Sequence, residues 1–277
     1  MSRRNNIVGS VVYPLAIGLE GWWDFSQRSS LFDAVSGGSN VTPGNRIARV
    51  EDLSGNSRHL TQATSGTRPL LSAAAQNGLD VAQFDGAQLL QHSTAATWKF
   101  MHDGTKMLSM LTVKIGINSD PNALMLLFGT NTGLVSANVG YGLAYDDRAS
   151  VPRNNVLNNQ IAKGVTGQPP VSNISADNAI TPNTFGVITT LTDPSNGTGS
   201  LRSTLYNGAG TAIANNSNTF AVSAADPFGP LSLGSGPAGT FALIGNVGEL
   251  IIAKGANATE ANRLRLLAYA FDKWIAP

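Results

Sequence analysis

Apolar residues fall in short runs separated by Gly, Asn, Asp, Pro and Ser, the pattern of an all-β sandwich or barrel. Strands are predicted over residues 21–25, 81–84, 107–117, 123–128, 139–145, 184–191, 201–206 and 247–252. The alternation is clearest where Leu201, Ser203 and Leu205 oppose Arg202, Thr204 and Tyr206, which predicts a strand with one wet face. Asn207-Gly208-Ala209-Gly210 then suits a tight hairpin, with residues 211–213 returning. Trp22 and Trp23 are adjacent on one strand and must point to opposite sides. One helix is predicted near the C-terminus. Asn257 and Glu260 fit a capping box, and Ala261, Leu264, Leu267, Ala268, Phe271 and Ile275 form its apolar face. Arg263, Arg265 and Lys273 are expected on its solvated side. The Asn- and Pro-rich stretch 146–183 reads as a long surface loop insertion. Residues 1–16 read as an N-terminal arm whose Ile7, Val8, Val11, Val12 and Tyr13 call for a covering partner.

Composition narrows the function classes. Lys+Arg number 18 against 17 Asp+Glu in 277 residues, and a net charge of +1 gives no field to collect nucleic acid or anionic membrane. Hydrophobic content of 42% excludes disorder by composition, and no stretch is long and apolar enough to span a membrane. Cysteine is absent, which removes disulfides, thiolate nucleophiles and Cys-based metal sites. Met1-Ser2-Arg3-Arg4 and the apolar run behind it imitate a signal peptide, but Gly9, Ser10, Tyr13 and Pro14 interrupt the run and no small-residue cleavage site follows. The expectation is a protein made in a host cytoplasm without a secretion signal.

Four motifs in order carry a family resemblance. They are Gly21-Trp22-Trp23-Asp24-Phe25, the run from Glu51-Asp52-Leu53-Ser54-Gly55-Asn56 to Gln62 ahead of Arg68-Pro69, Phe84-Asp85-Gly86 with Leu89-Leu90, and Val247-Gly248-Glu249-Leu250-Ile251-Ile252 before a helix ending in Lys273-Trp274. Together they resemble the concanavalin A-like, laminin-G-like jelly-roll domains of the type found in tailed-bacteriophage virion proteins. The resemblance implies a two-sheet antiparallel jelly-roll sandwich over residues 17–277 with a short C-terminal helix. By their own chemistry, Asp52, Ser54, Gly55 and Asn56 build a rigid turn, since Asp and Asn side chains fold back on backbone N–H groups. Some relatives bind calcium near this turn, so the resemblance also implies a weak calcium site at Asp52, Asn56 and Glu249, and no other cofactor. Many relatives carry an Asp-Glu pair in the last strand; here Gly248 precedes Glu249, one carboxylate short.

The fold includes glucanases, whose paired carboxylates come from an alternating Glu-x-Asp-x-x-Glu strand. Only Glu20, Glu51, Glu249 and Glu260 are present and none lies in such a strand, so no catalytic residue is assigned and the chain is expected not to be an enzyme. Asp146 and Asp147 are adjacent, point apart on an extended segment, and read as a solvated loop. His59, His92 and His102 lack metal-ligand spacing. Sugars dock on exposed rings; with Trp274 and one of Trp22 and Trp23 assigned to the core, Trp98 and Tyr145 are left as the ligand-binding candidates. Three functions follow: a non-enzymatic structural or decoration protein on the exterior of a tailed-phage virion, head or tail, which could double as an adhesin for host surface glycans; a free glycan-binding lectin module; or a glycoside hydrolase. The first implies a homo-oligomer in contact with other virion proteins.

Overall fold

The computed structural model describes residues 14–117, 122–131, 137–150, 153–165, 170–206, 212–219 and 222–276. Among these, the strands are β1 (Gly21–Asp24), β2 (Leu31–Phe32), β3 (Arg49–Val50), β4 (Leu60–Thr61), β5 (Leu70–Gln76), β6 (Leu79–Asp85), β7 (Leu90–Gln91), β8 (Met107–Ile115) and β9 (Asn122–Gly129). They continue with β10 (Val139–Arg148), β11 (Val156–Lys163), β12 (Val171–Ile174), β13 (Phe185–Thr192), β14 (Leu201–Tyr206), β15 (Ala212–Asn218), β16 (Ser232–Leu233) and β17 (Ile244–Lys254). An eight-stranded antiparallel sheet runs β15-β14-β13-β8-β17-β6-β5 with β1 also on β17, and a nine-stranded one runs β12-β11-β10-β9-β16-β7-β4-β3-β2. The protein is an antiparallel β-sandwich with one short C-terminal helix, as its periodicity indicates.

Register explains the core. In the nine-stranded sheet Leu31, Val50 and Leu60 align across three strands, and Leu90, Leu233, Phe128 and Leu143 align across four more. All of them join the main core, facing Leu111 and Val113 of β8, Ile188 of β13 and Leu250 of β17. The other face of the eight-stranded sheet is also apolar. Leu108, Met110, Val187, Leu191 and Ile251 lie there under Leu266, Tyr269 and Ala270 of the helix α1 (Glu260–Ala270). Strands β8 and β17 are thus covered on both sides, so their sequences read as near-continuous apolar runs rather than alternations. Trp23 enters the inter-sheet core while Trp22 lies beneath the helix, the split that adjacency required.

Three expectations change. Strand β14 has no wet face, because Arg263 of α1 reaches across to the Tyr206 hydroxyl and Tyr206 is buried. The helix starts two residues after the expected cap, with the Thr259 hydroxyl accepting from Asn262 N at 3.2 Å, and it ends in a wider turn over Phe271–Ile275. Its buried face is Leu266, Tyr269, Ala270 and Trp274, while Leu264 is 51% exposed. Arg263 and Lys273, expected in solvent, face inward onto partners.

The stretch 146–183 is also no long loop: β11 and β12 add to the nine-stranded sheet beside β10. Asparagine is disfavoured in strands, but here Asn159 and Asn173 donate across the sandwich to the carbonyls of Arg202 and Leu201, at 3.4 and 3.0 Å. These bonds tie the two sheets together where the apolar core thins. Of the N-terminal arm, residues 1–13 lie outside the described residues, whereas Pro14–Ile17 forms a 3-10 turn that tucks Ile17 under the helix.

Candidate functional site

The four motifs converge on one buried cluster between β1, β17 and the C-terminal helix. Glu249 is wholly buried and its Oε1 accepts from Trp22 Nε1 at 2.5 Å and the Tyr269 hydroxyl at 2.9 Å. Its Oε2 accepts from Trp274 Nε1 at 2.7 Å and Lys273 Nζ at 3.1 Å, and the same ammonium bridges to Asp24. Burial, and next the Asp24 carboxylate, push the Glu249 carboxyl above its ordinary range, with Lys273 and the indole donors opposing them. Trp22 N also donates to Asp52 Oδ1 at 2.9 Å, so the turn motif is joined to the same strand. Asp52 further accepts from Ser54 N, the Ser54 hydroxyl and Arg58 N, while its own N–H donates to His59 Nδ1. Asn56 donates to Leu19 O at 2.7 Å.

This geometry corrects the calcium expectation. The oxygens of Asp52 and Glu249 are occupied by separate sets of donors, and Asn56 turns its amide N–H to a backbone carbonyl. Among the described residues no group of three or more acidic or histidine side chains could hold a metal ion. The motifs build a turn and anchor a helix.

The aromatic candidates are corrected as well. Trp98 is wholly buried against Trp23, ring centroids 5.9 Å apart, and Tyr145 is 2% exposed with its hydroxyl donating to Asn155 Oδ1 at 2.6 Å. Burial, and then Asp147, raise the Tyr145 phenol above its ordinary pKa. Neither ring is available for stacking a sugar.

A polar constellation lies instead on the outer face of the nine-stranded sheet. Because side chains alternate, the row outward of the core runs Arg49, Thr61, Gln91, Ser232, Gly129, Gly142, Gln160 and Ser172, in register from β3 to β12. The next row places Leu126, Ala144, Asn158 and Ile174 side by side, and Leu124, Asp146 and Val156 follow. Gly142 and Ala144 therefore make the floor of a narrow trough between an apolar wall from β9 and an amide wall from β11, and Leu126, Ala144, Asn158 and Gln160 are themselves buried. A side chain at Gly142 would meet Leu126 Cδ1 and Gln160 Nε2, which lean over the floor from either side. The segment after β16 borders the β9 wall: Gln91 Nε2 donates to Pro237 O at 2.7 Å, and Leu126 N to the carbonyl of Phe241, whose ring is 40% exposed.

At one end stands Asp146, the residue read from sequence as loop. It is wholly buried in β10 and accepts from Arg148 Nε and Nη2 at 2.8 and 2.9 Å, from Arg153 Nη1, and from Asn158 Nδ2 at 3.4 Å. Burial pushes its carboxyl up, but the hydrogen bonds and charges of the two arginines outweigh it and hold the group below the usual carboxylate range. Asn158 Oδ1 and both amide atoms of Gln160 are buried without a hydrogen-bond partner. Such atoms cost on the order of 1–3 kcal/mol each when left unpaired. A single-sequence signal for this site was weak: Asp146, Asn158 and Gln160 come together only through strand pairing.

No protein-family model and no curated protein sequence matches the chain. Solved structures do share its fold. Tailspike protein 2 of the Escherichia coli O157:H7 bacteriophage CAB120 aligns with 85% of this chain and 29% of its own, at TM-score 0.52 and 14% identity. A Trypanosoma rangeli sialidase aligns over 92% of this chain and 33% of its own, at TM-score 0.52 and 13% identity. A GH54 α-L-arabinofuranosidase aligns over 92% of this chain and 65% of its own, at TM-score 0.56 and 12% identity. This chain thus spans about a third of the length of the tailspike and the sialidase. The shared class is the antiparallel β-sandwich.

These structures overturn the expectation that the chain is not an enzyme. The sandwich recurs in a sialidase, an arabinofuranosidase and the enzymatically active domain of the tailspike, so the missing Glu-x-Asp-x-x-Glu strand excludes nothing. Strand pairing also buries Asp146, a carboxylate read from sequence as a solvated loop, beside two arginines.

Proposed function

We propose that this chain is a glycan-engaging β-sandwich module of concanavalin A-like type, carried on the exterior of a tailed-phage virion, and that the outer face of its nine-stranded sheet meets the sugar. The observation that supports this reading most strongly is the composition of the trough: Gly142 and Ala144 lie between Leu124 and Leu126 on one side and Asn158 and Gln160, with unused hydrogen-bonding atoms, on the other, all buried side chains that a ligand would have to uncover. A pyranose has one apolar face and a rim of hydroxyls, and this pairing of walls complements both. On the particle the module, residues 17–277, would pack against copies of itself and other virion proteins, so that weak single-site contacts add through avidity.

The test is a panel of bacterial surface polysaccharides presented to the purified chain, with bound protein and newly released reducing ends measured together. Binding that Asn158→Ala with Gln160→Ala weakens about tenfold or more, the equivalent of one or two lost hydrogen bonds, supports the reading. Newly released reducing ends would extend it to hydrolysis, and Asp146→Asn, which unpins both arginines, should weaken binding. Binding untouched by all three substitutions would refute the proposed face.

A further inference from the structure

We infer that the glycan engaged by this trough is anionic, its carboxylate held by Arg148 and Arg153. The inference rests on the glycan-engaging reading above and concerns the chemical class of the sugar. Arg148 forms a two-point pair with Asp146 through Nε and Nη2, which leaves that pair neutral. Arg153 adds a second guanidinium to the same carboxylate through Nη1, so the constellation carries one surplus positive charge in a chain whose net charge is only +1.

The unused donors point to what neutralises it. Among the described residues, Arg148 Nη1 and Arg153 Nε and Nη2 donate to nothing, while the arginine side chains are 24% and 22% exposed and the Asp146 carboxylate is wholly buried. Both guanidinium groups are held by Asp146 and remain partly exposed. A planar fork with Nε and Nη2 free matches a carboxylate in two parallel hydrogen bonds, a geometry an ammonium could not offer. Asn158, hydrogen-bonded to the same Asp146, and Gln160 two residues along β11 are the buried amides next to this pair of arginines. Asp146 acts as a positioning residue. Because the arginines hold it ionised across the neutral range, it keeps both guanidinium groups aligned without itself touching the anion.

The experiment uses polygalacturonate, alginate and hyaluronan oligosaccharides as probes, each beside its carboxyl-reduced form, together with neutral surface polysaccharides. Binding of at least one acidic probe that falls about tenfold or more on carboxyl reduction, and that weakens as salt rises from about 50 mM to 500 mM, supports the inference. Arg153→Ala should produce the same loss, so that the variant no longer distinguishes the native probe from its reduced form. Arg153→Lys, which retains the charge but loses the fork, should recover only part, and a melting curve of each variant separates a site effect from unfolding. Equal binding of native and reduced probes, or binding of neutral polysaccharides alone, overturns the anionic assignment and leaves the glycan reading standing. Binding of no acidic and no neutral polysaccharide overturns both.

Discussion

Glu249 shows how one carboxylate can consume every donor around it. Two indoles, a phenol and an ammonium converge on its two oxygens. Glu249→Ala is expected to destabilise the fold by about 3–5 kcal/mol, the range for removing one partner of a buried ion pair, measured as a shift in urea midpoint. A loss below about 1 kcal/mol would show that the cluster is not the helix anchor. His102 gives a pH dependence of definite sign. It is wholly buried, its Nε2 lies 2.9 Å from Ala225 O, its Nδ1 has no partner, and burial holds its pKa below the ordinary value. The unfolded chain therefore takes up a proton near pH 6.5 that the folded chain refuses until lower pH, so stability present above about 6.5 is lost as pH falls below it. His102→Phe should flatten that slope between about pH 7.5 and 5.5; an unchanged slope would assign it to other groups. At this scale the sequence was half legible. The pairing of Trp22 and Trp23 to opposite sides followed from alternation alone, whereas the burial of Trp98 and Tyr145 depends on neighbours from distant strands.

Among elements, the β9–β10 pair separates structural glycines from those that shape a surface. A side chain at Gly129 would meet backbone, Tyr141 O at 2.5 Å and Gly142 Cα at 2.9 Å, whereas one at Gly142 meets only the ends of Leu126 and Gln160. Gly129→Ala is therefore expected to lower the melting temperature by several degrees, and Gly142→Ala to leave it nearly unchanged while raising the trough floor and weakening glycan binding. Equal melting losses in both variants would contradict that division. For the helix, Thr259→Ala should cost about 1 kcal/mol, the ordinary value of an N-cap hydroxyl, read by urea unfolding. The helix was legible in its place and not in its orientation. Its buried stripe includes Arg263 and Lys273, which a hydropathy pattern assigns to solvent, and their partners, Glu260 and Tyr206 for the first and Glu249 and Asp24 for the second, offset the cost of burial. Strands β11 and β12 were missed for a related reason. Their Asn-rich sequence looks like loop until Asn159 and Asn173 find carbonyls on the facing sheet.

For the molecule as a whole, the sandwich was legible because its long strands repeat one pattern of apolar runs and turn residues. The two-residue strands β2, β3, β4, β7 and β16 were not, since two residues carry no periodicity, yet they complete the nine-stranded sheet. The trough depends on the register of β9 to β12, which aligns Gly142 and Ala144 of β10 with Gln160 and Asn158 of β11 and with Leu126 of β9. No single segment contains it. The same register gives the sandwich two unlike outer faces, one sealed by α1 and one carrying the buried amide row and the partly exposed arginines. The measurement that bears most directly on this asymmetry is hydrogen exchange of the whole chain with and without a polysaccharide it binds. Slowed exchange confined to residues 139–163 and 234–243, the strands and bordering segment of the trough, is the expected result. Protection confined to β8, β13 and the helix, with none on β10 and β11, would place the ligand on the opposite face and contradict the proposal.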